Sequence, residues 1–177
     1  MGKIDGKKIL IIIASNNFRD EEYSRPRSVF EKEGAKVTVV SSSLNVSAGV
    51  KGMERVKPDI LISAADVSDY DAVMFVGGAG AREYFNSAAA HKIAKDALEK
   101  GKILSAICIG PGILAYAGVL KGKKATVFSS EINTIKSKGA IYTGNPVEKD
   151  GKIITADGPE AAYEFGNEIV NALMRKA

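Results

Sequence analysis

The stretch KILSAICIGPG, residues 102 to 112, runs from five apolar or small residues after Lys102 through the chain's only cysteine into a Gly-Pro-Gly. A short apolar run without polar alternation is what a strand covered on both faces requires. The Gly-Pro pair that follows suits the start of a helix, where proline's missing N–H costs nothing. Residues 103–108 therefore read as a buried strand, with Cys108 where strand turns into helix. Working outward, KKILIIIAS (7–15) and YDAVMFVGGAGA (70–81) read as further central strands, the second breaking at Gly77-Gly78. AKVTVVSSS (35–43) and KIITA (152–156) complete the strand set, with a weaker strand near 125–128.

Helical spacing covers 21–33, closed by Gly34, and then 86–102, 111–120, 131–138 and 159–174. Residues 49–69 carry alternation and glycines suited to a small hairpin or an edge excursion. Strands alternating with helices imply an α/β fold with a mainly parallel central sheet between helical layers. At 177 residues, a single domain over 1–177 is expected, large enough to bury a substantial core.

Composition narrows the function. With 45% apolar and 26% charged residues and 5 prolines, the chain reads as an ordered globular protein. No apolar run has the length of a membrane span, and the first residues lack a signal-peptide core, so a cytoplasmic location is expected. The net charge of +4 is dispersed, clustering only at Lys121–Lys124 and Arg175-Lys176, and no aromatic-interleaved basic motif accompanies it. Neither a nucleic-acid nor a membrane partner is expected. A lone cysteine forms no internal disulfide and persists as a thiol.

In an open α/β sheet, ligands bind beyond the carboxyl ends of the strands. Three segments meet there: Asn16–Glu22, Gly77-Gly78 and Cys108. At the turn, backbone amides and a helix N-terminus favour a thiolate, and the amides of Gly78 and Ile109 form a plausible oxyanion hole. Gly77, Gly110 and Pro111 are expected in the pocket, where small residues let a ligand approach the backbone. The competing reading makes Cys108 a small buried hydrophobe, the glycine pair a tight turn, and Asp20, Glu21 and Glu22 ordinary charges at a helix start.

AICIGPGILAYAGVLKGKKAT (106–126), FVGGAG (75–80), RDEEYSRP (19–26) and VEKDGKIITADGPEAAYEF (147–165) together resemble the ThiJ/PfpI superfamily. That group includes the Parkinson-associated protein deglycase, glyoxalase III-type enzymes and PfpI-type intracellular peptidases. The resemblance implies a flavodoxin-like three-layer sandwich of the class I glutamine amidotransferase-like kind, a homodimer or higher oligomer, and a nucleophilic Cys108 on a strained elbow. The matching Phe18-x-x-x-Glu22 and Pro26 assign the acidic partner of the cysteine to Glu22.

The departures are informative. PfpI-type peptidases have histidine directly after the cysteine, and here that residue is Ile109. The later-strand histidine of the Parkinson-associated branch corresponds to Phe128. The acid after the glycine pair corresponds to Arg82, and the arginine usual before the later Gly-Pro is replaced by Asp157. The single histidine, His91, lies in an alanine-rich helix with no second ligand to support a metal site, so neither a metal nor another cofactor is expected, and a Cys-His dyad is expected only if another subunit supplies His91.

The expected function is a cysteine-dependent enzyme acting on small reactive carbonyls, glyoxalase III- or deglycase-like, with Cys108 as nucleophile and Glu22 as proton shuttle. The alternative is a redox sensor or stress-response chaperone working through oxidation of Cys108. A peptidase ranks third, because Ile109 has no proton to give.

Overall fold

A computed structural model describes residues 2–174; the Arg175-Lys176 pair lies outside them. The apolar run after Lys7 forms β1 (Lys8–Ile12), buried along all but its first residue. On one side it pairs in parallel with β2 (Lys36–Ser41), Ile9 facing Val37 and Ile12 facing Val40. On the other it pairs with β6 (Ala72–Phe75), Ile9 facing Ala72 and Ile12 facing Phe75. Next come β7 (Ile103–Ile107), β11 (Ile153–Ala156) and β10 (Val147–Asp150), while β5 (Ile60–Leu61) closes the other edge. The order is β10-β11-β7-β6-β1-β2-β5, with only β10 antiparallel to its neighbour.

Helix α1 (Asp20–Lys32) packs with α5 (Ala162–Met174) across one face of the sheet, while α2 (Ala88–Glu99) and α3 (Gly110–Tyr116) cover β6 and β7 on the other. Close packing of α1 on α5 depends on Gly166, where a β-carbon would stand 3.1 Å from the Cα of Pro26. Helix α2 is capped by Ser87, whose Oγ accepts from the Ala90 amide at 3.2 Å. With helices on both faces, β6, β7 and β11 are buried throughout, as their unbroken apolar character anticipates.

The 49–69 region holds parts of both expected forms, one arm of a short hairpin and an edge strand. β3 (Ser47–Ala48) and β4 (Arg55–Val56) pair as the hairpin, and β5 joins the main sheet. The strand expected near 125–128 shrinks to β8 (Lys124–Ala125), paired with β9 (Ile141–Tyr142). Beyond Ala125 the chain's amides are taken elsewhere: Thr126 N–H goes to the Thr155 hydroxyl at 3.0 Å and Phe128 N–H to the Cys108 carbonyl at 2.9 Å. Between β8 and β9, α4 (Ile132–Ser137) follows a 3₁₀ turn.

Parallel pairing puts the carboxyl ends of β1, β6, β7 and β11 at one edge of the sheet. Strand order reverses between β1 and β6, since β2 continues on the far side of β1. That edge carries Cys108, Gly77-Gly78 and the 13–22 segment.

Candidate active site

Cys108 follows the last residue of β7 with φ of 63°. A left-handed conformation at a non-glycine residue is strained, and it persists only where the surroundings hold it. Here both backbone groups of Cys108 are tied: its N–H donates to the Ala156 carbonyl at 2.8 Å, and its carbonyl accepts from Phe128. The elbow is clamped between the end of β11 and the 126–128 segment, leaving the side chain directed away from the sheet's hydrogen-bond ladder.

Gly77 brings the partner residue close. A β-carbon there would fall 2.6 Å from the Cys108 Cβ and 2.6 Å from Glu22 Oε1, so any other residue would push thiol and carboxyl apart. Gly78, at φ of 98°, turns the chain away, and the Gly77 carbonyl accepts from Arg19 N–H at 3.0 Å, fastening the loop after β6 to the start of α1. The amides of Gly78 and Ile109 are both directed toward the sulfur.

Glu22, in the first turn of α1, is 0% exposed, and neither carboxyl oxygen makes a well-formed hydrogen bond to the protein. The Cys108 thiol and the Gly77 amide are the groups positioned to supply one. Burial pushes the carboxyl up to about 8, against weaker downward pulls from the thiol and Arg19. Cys108 is 6% exposed, and burial followed by the charge of Glu22 pushes its thiol above the ordinary range, while the Gly78 and Ile109 amides oppose the rise.

This corrects the expectation of a ready thiolate. Helix α3 has only seven residues, and the two amides do not outweigh loss of water and an adjacent carboxylate. The two groups titrate as a pair, so the first proton to leave, near pH 8, belongs to both. At neutral pH the pair is predominantly uncharged.

Over the sulfur lies a cavity of about 430 Å³, floored by Cys108, Gly78 and Ile109 and walled by Val50, Phe128 and Pro159. Gly77, Gly110 and Pro111 stand one layer behind this lining. Gly110 lets α3 approach β6, since a β-carbon would meet the Phe75 carbonyl oxygen at 2.8 Å, and Pro111 is buried in the first turn of α3. These three pack the elbow and are not among the residues that line the cavity. His91 Nε2 lies 2.7 Å from the Phe85 carbonyl, and the residue does not line the cavity. Among the described residues, no group of three or more His, Cys, Asp or Glu could hold a metal ion.

Two features were not anticipated from the sequence. Arg19 and Arg82 both line the cavity; the signals available were that Arg19 lies within the Asn16–Glu22 segment and that Arg82 stands where the resembled family carries an acid. Asp20 accepts the amides of Lys51, Met53 and Glu54 at 2.8, 3.0 and 2.8 Å, pinning the loop that brings Val50 to the wall. A second cavity of about 370 Å³ shares Phe128 and Pro159 with the first and is lined by Tyr142, Asp157 and Glu160. Burial, then the neighbouring Glu160 and Glu164 charges, raise the Asp157 carboxyl.

The family model described as DJ-1/PfpI family matches residues 7–172. The chain belongs to the DJ-1/PfpI family. An uncharacterized Methanocaldococcus jannaschii protein is 41% identical over 169 residues, covering 94% of this chain and 82% of that one. Deglycase PfpI of Pyrococcus furiosus is 29% identical over 164 residues, 93% of this chain and 98% of the relative. Among solved structures, a ThiJ/PfpI domain protein from Brachyspira murdochii superimposes with a TM-score of 0.94 at 31% identity, covering 98% of this chain and 99% of that one. The flavodoxin-like sandwich is thus shared with the DJ-1/PfpI structures. Among the described residues, no helix is long and apolar enough to cross a membrane.

Proposed function

We propose that this member of the DJ-1/PfpI family is a cysteine-dependent enzyme that converts small reactive carbonyl compounds. One observation carries the reading: a fully buried carboxyl without a well-formed hydrogen bond is held beside a thiol on a strained elbow under an open cavity. Leaving a buried acid unsatisfied is costly, and such groups concentrate where proton transfer is needed. Family membership and a deglycase among the relatives support it.

In the proposed sequence, the ionised fraction of Glu22 takes the thiol proton as the sulfur bonds to the aldehyde carbon of a 2-oxoaldehyde. The carbonyl π pair moves to oxygen, which receives that proton, while the Gly78 and Ile109 amides hold the developing oxyanion. Glu22 then moves the proton on that carbon to the neighbouring carbonyl carbon, with the hydroxyl and oxo groups exchanging places. The product is a 2-hydroxyacyl thioester, which one water molecule hydrolyses to the acid and the free thiol. A base that ionises near pH 8 suits this role, because it is readily both protonated and deprotonated near neutrality.

The test is methylglyoxal consumption with chiral analysis of the lactate formed. Cys108→Ser is expected to abolish turnover and Glu22→Gln to reduce it by about 10²–10⁴-fold; full activity in Glu22→Gln removes the shuttle. A second reading, oxidation of Cys108 by peroxide to a sulfenate with release of water, draws on the same neutral carboxyl, which would donate to an oxidised sulfur. Intact mass after mild peroxide separates the two: oxygen gained at Cys108 without any lactate formation favours sensing. Acyl transfer to an amine leaving group has weaker support, since Ile109 is adjacent to the thiol and His91 lies away from the cavity.

A further inference from the structure

The cavity over Cys108 is lined by two guanidinium groups, Arg19 and Arg82, and by no carboxylate. Their acidic partners sit behind the lining. Arg19 Nε donates to Glu21 at 2.7 Å, and Glu21 is also bridged to Lys51 at 2.8 Å. Arg82 Nη2 donates to Glu131 at 2.8 Å and to the Ser130 hydroxyl at 3.3 Å. Each arginine spends one nitrogen on fixing its position. Among the described residues, the terminal nitrogens of Arg19 and the Nε and Nη1 of Arg82 have no partner.

The nearby carboxylates are engaged outside the lining: Glu21 on Arg19 and Lys51, Glu131 on Arg82, and Asp20 on the amides of the 51–54 loop, so the charged groups that line the cavity are the two guanidiniums. The field of Arg19 also reaches the reacting group, since its charge is coupled to those of Glu22 and Cys108. A guanidinium with spare N–H groups in a partly dry cleft is suited to a planar or tetrahedral oxyanion, which it can grip in two-point fashion.

We infer that the Cys108 cavity selects aldehydes that carry their own oxyanion, a carboxylate or phosphate a few atoms from the carbonyl, with the carbonyl carbon at the sulfur and the anion on Arg19 and Arg82. This rests on the reading of Cys108 as the nucleophile. The first step is unchanged in its balance: a carbon–sulfur bond forms, the carbonyl π bond breaks, and the thiol proton finishes on the former carbonyl oxygen. The arginines contribute orientation and steering of the anion.

The experiment uses two alkylating agents of nearly equal size, iodoacetate and iodoacetamide, on the intact chain at pH 7, where Glu22 is mostly uncharged, each rate divided by that of a free thiol. The expected result is a preference for iodoacetate of about tenfold at low ionic strength, within the range of electrostatic steering, falling severalfold in about 0.5 M salt as the field is screened. Arg82→Lys keeps most of the preference and Arg82→Gln loses most of it; the salt series on the unaltered chain gives the answer even where a variant folds poorly. Glyoxylate is expected to protect Cys108 from labelling at lower concentration than acetaldehyde does. Equal or inverted normalised rates, indifferent to salt, overturn the inference. If that happens while methylglyoxal is still consumed in a Cys108-dependent way, the anion selectivity fails and the enzymatic reading stands. Iodoacetate preference without turnover of any carbonyl preserves the anion site and removes the enzyme.

Discussion

The first turn of α1 has two sides with opposite treatment of the same chemistry. Asp20 and Glu21 are fully engaged: Asp20 takes three backbone amides of the 51–54 loop, and Glu21 bridges Arg19 and Lys51. Glu22, the next residue, faces inward and makes no well-formed bond. Against the upward push of burial, Lys51 and Arg19 hold Glu21 down to about 2, whereas burial carries Glu22 up to about 8. Three consecutive acids thus divide into two that fasten a loop and one held at the edge of ionisation beside a thiol. The lesson is that a buried acid which the fold does not satisfy is the one to examine for proton transfer.

Four changes test that division, beginning with the largest effect. Glu22→Gln lowers carbonyl turnover by about 10²–10⁴-fold, while Asp20→Asn and Glu21→Gln stay within about tenfold of the unaltered chain; steady-state kinetics with methylglyoxal measures this. If all three lose activity equally, the two sides are not distinct. Next is stability against pH. Glu22 has a higher pKa folded than unfolded, so between its ordinary 4.5 and about 8 the unfolded chain binds fewer protons. The stabilisation is complete below 4.5 and is lost as pH rises through about 8, by at most about 5 kcal/mol. Urea titrations from pH 5 to 9 are expected to show this decline, and Glu22→Gln to flatten it.

Third, Asp20→Ala strands three amides and is expected to destabilise by about 2–3 kcal/mol, read from the urea midpoint, with faster hydrogen exchange at Lys51, Met53 and Glu54. Smallest is Glu21→Gln, which removes the charge of a buried carboxylate but leaves an isosteric amide beside two partly exposed cations, and is expected to cost about 1–2 kcal/mol. A larger loss there, or none at Asp20, would reverse the roles assigned to the two bonded acids.

Much of the fold was legible because burial on both faces writes itself as unbroken apolar runs. β1, β6 and β7 are of this kind, and the glycine pair and Gly-Pro-Gly marked where two of them end. Strand β10 was not legible: Val147–Asp150 is a half-exposed edge strand whose charged residues discourage further pairing and leave no apolar run to mark it. At the site, the elbow position of Cys108 could be read from a strand meeting a helix start. The resemblance singled out Glu22, but nothing local separates it from Asp20 and Glu21; only the direction each side chain takes does so. The upward shift of the thiol was missed because it arises from burial and from a carboxyl 86 positions away along the chain, neither of which a strand-to-helix junction reveals. Arg19 and Arg82 likewise reach one cavity only after β1 and β6 are paired.

The most direct measurement is the rate of Cys108 alkylation by iodoacetamide against pH, in the unaltered chain and in Glu22→Gln. The account predicts a slow rate at pH 6 to 7 that climbs through about 8 and continues upward, with the Glu22→Gln curve displaced to lower pH because the neighbouring charge is gone. A rate already at its plateau by pH 6, and unmoved by Glu22→Gln, would contradict it.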